Sequence, residues 1–600
     1  MRNNKTLLVL TALEHSYKKF KKVFYLGEWC LTYENKANLK IKRYKVQKHH
    51  WTSFRKLKKD SLNLEKEYER LLNKISVLLN KFHKTKFNKE YWRVIVGPWL
   101  YFYLISMFDR WESLRRLKKI STYSIPNYQT DEDIFTTYDT MEYWSKATQS
   151  DSWNQANFIR ILKYRFKKIN FIKNIVKDKN NYLSKRINKK NNIISVLKYL
   201  ITILDILFSK ISFSFNKIYV ETLYFSKLDA FKFQVKCKQF PSFQLKTFNY
   251  NKNEYKKINY EERKNLFKFK HQKNQNFSGY LNKSLITDFP LVFLEDYKKI
   301  DNLNYSKYKN NFKIIFSSIS QIFNERYKIW LAKMIKKGTK HFIVGHGGGI
   351  PVVFLNNMFQ HELKISNKYI SWHKPFHKKH FRLTPPLIRK FSKKYSKNSY
   401  KEAKNCLILS CDTLRYPVKI QGFPYVEQYK SWLGDISTLI NNLNKKIKDN
   451  LIYRCSATNV GFKTDKILKE KHKFLNISNF DKNSLSDELE NTKISVITYP
   501  ETVIPECLLS KKPMIITLSP KIYHFIPQVK NIINELKDNK IFFDSPIKAS
   551  SFINSIWSDP SLWWENKNTK QAIEKLRDYT FENKINWLND WKNFTEEQKK

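Results

Sequence analysis

The sequence predicts a parallel α/β fold of two lobes facing a cleft, with a helical insertion in the first lobe and a helical tail. Three observations carry the prediction. Short apolar β-type runs alternate with helical periodicity both before residue 370 and after residue 405, and such alternation means parallel sheets covered on both faces. Between these stretches lies a segment rich in Lys, His and Pro around Thr384-Pro385-Pro386, which reads as a connection. Only 11 glycines serve 600 residues, yet Gly345, Gly347, Gly348 and Gly349 fall together, concentrating a backbone requirement for a sharp turn or a close approach. The expected layout is a first lobe over 1–370 with a helical and basic insertion at about 50–285, a linker over 371–404, a second lobe over 405–550 and a tail over 551–600.

Each element has its own signal. Lys5 to Glu14 is a strand-like run ending in polar residues, and Val23-Phe-Tyr-Leu26 is a second, followed by Gly27-Glu28-Trp29-Cys30. Trp51 to Lys84 has helical spacing, and a helix beyond Tyr91-Trp-Arg93 carries Phe108-Asp-Arg-Trp-Glu112, where Arg93 or Arg110, if buried, needs Asp109 or Glu112 as a partner. A further helix starts near Asp151, while residues 163–283 give no legible pattern. Pro290 to Glu295 and Lys313 to Phe316 read as strands. Asn324 is the predicted N-cap of a helix over Glu325 to Lys337, with Tyr327, Trp330, Leu331, Met334 and Ile335 on one stripe and Gly338 closing it. Phe342-Ile-Val344 is the strand before the glycine turn, and Val352 to Leu363 is helical. In the second lobe, strands are predicted at Cys406–Ser410, Leu451–Tyr453, Ile494–Thr498 and Met514–Leu518, with helices at Val426–Lys445 and Val503–Ser510. Pro505 fits only the first turn of the latter. The tail carries Trp557, Trp563, Trp564, Trp587 and Trp591, a density that packs a terminal helix onto another element.

Composition excludes several classes. With 42% hydrophobic and 16% aromatic residues the chain can bury sizeable cores, so it is not a disordered polymer. Lys+Arg 112 against Asp+Glu 53 gives 112 − 53 = +59, a field that attracts phosphates, nucleic acid or an anionic membrane face. The lysines are scattered among Asn, Ile, Tyr and Phe without any nucleic-acid reader motif, so no specific nucleic-acid partner is expected, and a nucleic-acid-binding protein stays as an alternative to an enzyme. Six cysteines lack a Cys-x-x-Cys pair, which fits a reducing, cytosolic setting. Leu7 to Leu13 is too short and poorly flanked for a secretory signal. Ile193 to Phe208, broken by Lys198 and Asp205, is a core helix or a membrane-surface helix rather than a span. His373, His377 and His380 lack cysteine or carboxylate partners, so no metal is predicted.

The candidate chemistry sits at strand ends, where open α/β sheets bind ligands. His346 stands at the mouth of the glycine turn, placed to take or give a proton, and Glu14 is the second candidate base. Gly347, Gly348 and Gly349 aim backbone amides at an anion. Across the cleft, Arg415 and Arg454 are candidates to clamp phosphate oxygens, Thr498 and Thr502 to bond them at a helix N-terminus, and Glu506 to accept from ribose hydroxyls. Glu28, Trp29 and Arg93 are assigned to the acceptor side. This division of labour suits group transfer from a nucleotide-activated donor without a metal or other cofactor. The plainer alternatives are a tight turn whose histidine bonds a neighbouring loop, and surface carboxylates at strand ends.

Several stretches then carry a resemblance. Thr11-Ala-Leu-Glu14, Phe24-Tyr-Leu-Gly-Glu-Trp-Cys30, Tyr91-Trp-Arg with Gly97-Pro-Trp99, Phe108-Asp-Arg-Trp-Glu112, Pro290 to Glu295, Gly345-His-Gly-Gly348, Tyr369-Ile-Ser-Trp372 and Glu501 to Pro513 occur in order along nearly the whole chain. With them the chain is similar to a family of transferases encoded in bacterial O-antigen and surface-polysaccharide gene clusters. The resemblance implies two Rossmann-like domains of the GT-B type and transfer of a sugar or sugar-like group from a nucleotide sugar to a saccharide or lipid-linked saccharide. It also implies a cytoplasmic location, with peripheral contact at the anionic inner membrane. The arrangement also resembles polyol-phosphate transferases that use a cytidine nucleotide. The sequence departs from the family pattern at three places. Gly345 stands where Gln is usual, Trp372-His373-Lys374 replaces Trp-Gly-Trp, and Tyr499-Pro500-Glu501-Thr502 replaces a hydroxyl-rich turn. Glu501 adds a negative charge and Pro500 removes an N–H where a phosphate is expected, which implies an altered donor site or a catalytically silent scaffold.

Overall fold

The computed structural model describes residues 6–13, 20, 22–33, 44–128, 132–172, 211–213, 215–242, 248–250, 258–268, 275–348, 356–393, 400–420, 424–455, 461–480 and 482–599. Its described strands form three sheets, all parallel. The first, in the order β3-β2-β1-β4-β5, joins β1 (Thr6–Val9), β2 (Val23–Tyr25), β3 (Tyr44–Val46), β4 (Tyr123–Pro126) and β5 (Phe171–Ile172). The second, β10-β9-β8-β7-β6, joins β6 (Ile218–Glu221), β7 (Ile314–Ser317), β8 (Lys340–Val344), β9 (Lys368–Ser371) and β10 (His380–Arg382). The third, β13-β12-β11-β14-β15-β16, joins β11 (Asn405–Leu409), β12 (Leu451–Arg454), β13 (Asn476–Ile477), β14 (Thr492–Ile497), β15 (Met514–Thr517) and β16 (Phe542–Phe543).

The parallel α/β class is therefore as the alternation predicted, but the first part of the chain carries two sheets. The strands that sequence reading missed are two to four residues long, too short to show a period of two. β10 lies inside the stretch read as a connection, and β4, β5 and β6 lie inside the stretch read as an insertion. Pro290 to Glu295 is not a strand. Leu291–Phe293 form a 3₁₀ turn, with the amides of Leu291 and Val292 bonded to the carbonyls of Thr137 and Tyr138. A short apolar run looks the same whether a sheet or a packed turn buries it.

Helix α1 (Phe54–His83) and helix α2 (Lys89–Arg115) make an antiparallel pair, capped by Ser53 and Asn88, whose side chains accept from the amides of Lys56 and Tyr91. Almost every residue of α2 is buried, as expected of a helix whose middle, from Val94 to Met107, carries no charge on any face. It touches α1, helix α3 (Asp151–Arg165), helix α5 (Glu325–Lys336) and helix α6 (Asn357–Ile365). α2 is thus the axle between the first two sheets. The predicted cap of α5 forms, Asn324 accepting from the Tyr327 amide at 3.0 Å, and Gly338 follows it at φ +93, the left-handed geometry that glycine supplies. On its other face the second sheet buries Phe316, Phe342 and Val344 against Trp591 and Phe594 of the terminal helix α9 (Trp587–Lys599). The third sheet has its own core, built on Cys406–Leu409, Ile494, Val496, Ile497 and Met514–Ile516, with Ile436, Leu439 and Ile440 of helix α7 (Gln428–Asn442) in the same cluster.

Candidate active site

The carboxyl ends of the second and third sheets meet. β8 runs out at Val344, and Gly345 still donates to Ile370 of β9 at 2.9 Å, while its carbonyl accepts from the Trp372 indole at 2.6 Å. Trp372 is 1% exposed and lies under the turn. A Cβ on Gly348 would fall 2.2 Å from its ring, so only glycine lets the backbone pass there. On the opposite side, β14 leads through Tyr499-Pro500-Glu501 to Thr502, the cap residue of helix α8 (Val503–Ser510). The Thr502 hydroxyl does not cap its own helix. It accepts instead from the Gly348 amide at 3.2 Å, across 154 residues of sequence. The His-Gly-Gly turn and the α8 N-terminus therefore face each other directly.

Three ionisable side chains line this contact. His346 is solvent-exposed, while Lys419 and Glu501 are half-buried. Crowding by both sides of the gap lowers the His346 pKa, and the nearby Lys419 charge lowers it further. Water still reaches the ring, but a narrow gap gives it less dielectric support than bulk solvent. Glu501 is pushed up to about 7 by burial, with Lys419 pulling the other way. Lys419 is lowered by burial and partly restored by Glu501. The negative charge that Glu501 was expected to force on a phosphate site is thus partly neutralised by protonation and by a neighbouring lysine. Tyr369, Cys411, Tyr499 and Tyr523 lie within the field of Glu501 and are all raised, chiefly by burial. The set offers a neutral imidazole, a cation, a carboxyl that titrates near neutrality, and a helix N-terminus.

Lys419 arrives on a strap. The segment after β11 crosses to the first sheet, where Arg415 pairs with Asp151 at 2.9 Å and donates to the Gln149 carbonyl at 2.9 Å. The Tyr416 hydroxyl also bonds Asp151, and Arg110 of α2 donates to the Pro417 carbonyl at 2.5 Å. Both α3 and α2 hold this strap, two and more residues before Lys419.

Most other predicted site residues have different work. Arg415 is 4% exposed and committed to Asp151, so it is a strap residue and not a phosphate clamp. Arg454 pairs with Glu488 at 3.0 Å, donates to Ser478 at 2.6 Å and lies over Phe480. Its lobe's own carboxylate saturates it. Thr498 is buried and donates to the Leu409 carbonyl at 2.9 Å, locking β14 to β11. Glu28 pairs with Lys430 at 2.7 Å. Trp29 is a core residue, its indole donating to Leu10 at 2.8 Å and its ring stacked on Phe158. Arg93 is held by Glu69 and Glu90, which keep its guanidinium raised against the opposing effect of burial. The partners foreseen for Arg93 were Asp109 or Glu112; the carboxylates that hold it lie one turn away and on α1. Of the predicted set, the structure brings His346, Gly347, Gly348 and Thr502 together, with Glu506 half-buried in the first turn of α8. Glu14 and Gly349 lie outside the described residues. Sequence reasoning missed Lys419, one lysine among many, and took Glu501 as a full negative charge, where burial raises its carboxyl to about 7.

Among the described residues, His49, His50 and Asp109 form the one group with metal-ligand spacing. Both imidazoles bond the same Asp109 oxygen, at 2.7 and 3.1 Å, while Arg110 takes the other oxygen at 3.1 Å. A buried guanidinium beside the carboxylate opposes a second cation there. No described helix is long and apolar enough to cross a membrane.

No curated protein matches the chain in sequence. Solved structures resemble it only distantly. A Listeria monocytogenes protein named for UDP-N-acetylglucosamine 2-epimerase activity gives a TM-score of 0.31 at 11% identity over 52% of this chain and 82% of its own. The wall teichoic acid polymerase TagF gives 0.30 at 11%, over 50% and 85%, and the calicheamicin glycosyltransferase CalG4 gives 0.27 at 8%, over 51% and 80%. Likenesses at this level do not extend to chemistry. A family profile described as LIC12162 family transferase matches residues 6–594, and the chain belongs to that transferase family.

Proposed function

We propose that the protein is a glycosyltransferase of bacterial surface-polysaccharide biosynthesis, an O-antigen or lipopolysaccharide enzyme. It takes a sugar or sugar-like group from a nucleotide-activated donor and passes it to a saccharide or lipid-linked saccharide at the cytoplasmic face of the inner membrane. The observation that carries the reading is the contact of the His346 turn with Thr502 beside Lys419 and Glu501. In this reading residues 1–370 present the acceptor and 405–550 hold the donor. Neutral His346 removes the proton from the acceptor hydroxyl as its oxygen bonds the anomeric carbon. The anomeric C–O bond to the phosphate breaks, and the leaving diphosphate takes the electron pair. Lys419, the Gly347 and Gly348 amides and the α8 N-terminus face that charge, which lets the reaction run without a metal. Glu501, protonated near neutrality, can donate to the same phosphate. The same groups would serve a polyol-phosphate donor carried on a cytidine nucleotide.

The test is a thermal-shift and mass-spectrometric screen of the purified chain against uridine, guanosine, thymidine and cytidine diphosphate sugars and cytidine diphosphate polyols. One donor class is expected to raise the melting temperature by mass action and to be consumed when a saccharide acceptor is added. Stabilisation by the polyol donors alone selects the second chemistry. No stabilisation by any nucleotide overturns the proposal in favour of a silent scaffold.

A further inference from the structure

We infer that helix α4 (Lys227–Lys236) and the chain around it form a docking surface for an anionic lipid bilayer. Helix α4 follows β6, the edge strand of the second sheet. Placed on a wheel of about 100° per residue, its buried residues Asp229, Phe233 and Gln234 share the inner side. The outer side carries Leu228, Phe231 and Val235, which are 56%, 46% and 50% exposed. Lys227 flanks this ridge on one side, and Lys232 and Lys236 flank it on the other, all exposed. An apolar ridge between two rows of lysine is the pattern of a helix lying in a membrane interface, stems alongside lipid and ammonium groups at the headgroups.

The neighbouring chain extends the same surface. Asn216 and Phe240 exchange two hydrogen bonds, at 2.7 and 2.8 Å, and the Gln239 side chain accepts from the amides of Lys217 and Ile218. These bonds place Phe215, 75% exposed, and Phe240 beside the end of α4. The occupant follows from charge. Lys217, Lys227, Lys232, Lys236 and Lys238 are exposed across this stretch, while its two acidic residues are withdrawn. Glu221 is buried and bonded to Tyr219 and Ser320, and Asp229 is buried and paired with Lys393 at 2.8 Å. A protein partner would meet this with carboxylates, but flexible apolar side chains at this exposure suit acyl chains below anionic headgroups better than a flat nucleic-acid stack. β6 lies two strands from β8, about 10 Å at ordinary strand spacing, so the docked face would hold the His346 gap near the membrane. The inference deepens the acceptor half of the proposed function, yet its test needs neither donor nor acceptor.

The experiment sediments the full-length protein with vesicles of phosphatidylcholine alone or mixed with phosphatidylglycerol. The wild type is expected to partition onto the mixed vesicles. The double variant Leu228→Asp, Phe231→Asp should lose at least about tenfold in partitioning. The variant Lys232→Gln, Lys236→Gln should lose more than about tenfold on mixed vesicles only, in keeping with the contribution of each interfacial lysine. All four side chains face solvent, so melting temperatures should stay at the wild-type value. Equal binding by wild type and Leu228→Asp, Phe231→Asp overturns the assignment, whichever vesicle is used. So does concentration-dependent self-association that these substitutions abolish without lipid, or displacement of vesicles by RNA. Membrane binding with no nucleotide response would leave the docking surface standing and remove only the catalytic reading.

Discussion

Two polar clusters lie where the last third of the chain meets the rest, and they are built on opposite principles. At His49, His50, Asp109 and Arg110, every charge has a partner within 3.1 Å, and the side chains are sealed from water. The His49 amide also donates to Glu427, and its ring stacks on Tyr425, so this cluster fastens the third sheet's lobe to α2. At His346, Lys419 and Glu501, no hydrogen bond or ion pair joins the three among the described residues, their fields couple them, and the His346 ring is exposed. The first cluster spends its polarity on itself. The second keeps it for something that arrives. Burial and charge alone would not separate the two, since both hold histidine, carboxylate and cation; the direct bonds that converge on Asp109 in the first do.

The comparison can be broken by exchanging the consequences. His346→Ala should lower turnover by about two to four orders of magnitude, the range for loss of a general base, with the unfolding midpoint unchanged, read by donor consumption and by denaturant titration. Asp109→Ala should do the reverse. Removing one member of a buried pair leaves Arg110 uncompensated and costs about 3–5 kcal/mol, while the folded fraction keeps its activity. A stable but inactive Asp109→Ala, or an active His346→Ala, would mean that the roles have been assigned the wrong way round. Gly348→Ala comes next in size. Its Cβ would overlap the Trp372 ring at 2.2 Å, and relief of such overpacking costs about 1–3 kcal/mol. Because the shift moves the amide that bonds Thr502, turnover should fall more than stability suggests.

How far the sequence carries one is visible in these same residues. The glycine cluster was legible because four of so few glycines coincide, and the structure gives Gly348 a close-contact reason and leaves Gly345 and Gly347 tightly packed. Thr502 was legible as the cap position of a helix after a strand. The arginines were misread because sequence shows a charge but not its partner. Asp151 lies 264 residues from Arg415, and Glu488 sits on a helix whose orientation toward Arg454 only the fold sets. Lys419 carried no signal of its own. Its importance comes from a strap tied down by Arg110 and Asp151, long-range bonds that no local pattern announces. The division of the first part into two sheets stayed hidden for a different reason, the strands β3, β5, β6 and β10 being too brief to show alternation.

Glu501 gives the smallest effect and the sharpest one. Its carboxyl is raised to about 7 in the folded protein, above the ordinary carboxylate range, so the folded state holds this proton more tightly than the unfolded chain does. The stabilising contribution of the group is complete below the unfolded value and is lost as pH rises through about 7. The same charge then opposes an anionic donor. Wild-type donor affinity should fall by about threefold to tenfold between about pH 6 and 8 as Glu501 ionises. Crowding across the gap and the Lys419 charge lower His346, moving its own ionisation to the acid side of its ordinary value. In Glu501→Gln the amide keeps the shape and cannot ionise. Both the affinity drop and the matching decline in stability should flatten, read by calorimetric titration of donor and by denaturant midpoints across the range. If the closed cluster were the titrating one instead, Glu501→Gln would leave both slopes intact, and the distinction between an open and a sealed polar group would fail at the residue chosen to show it.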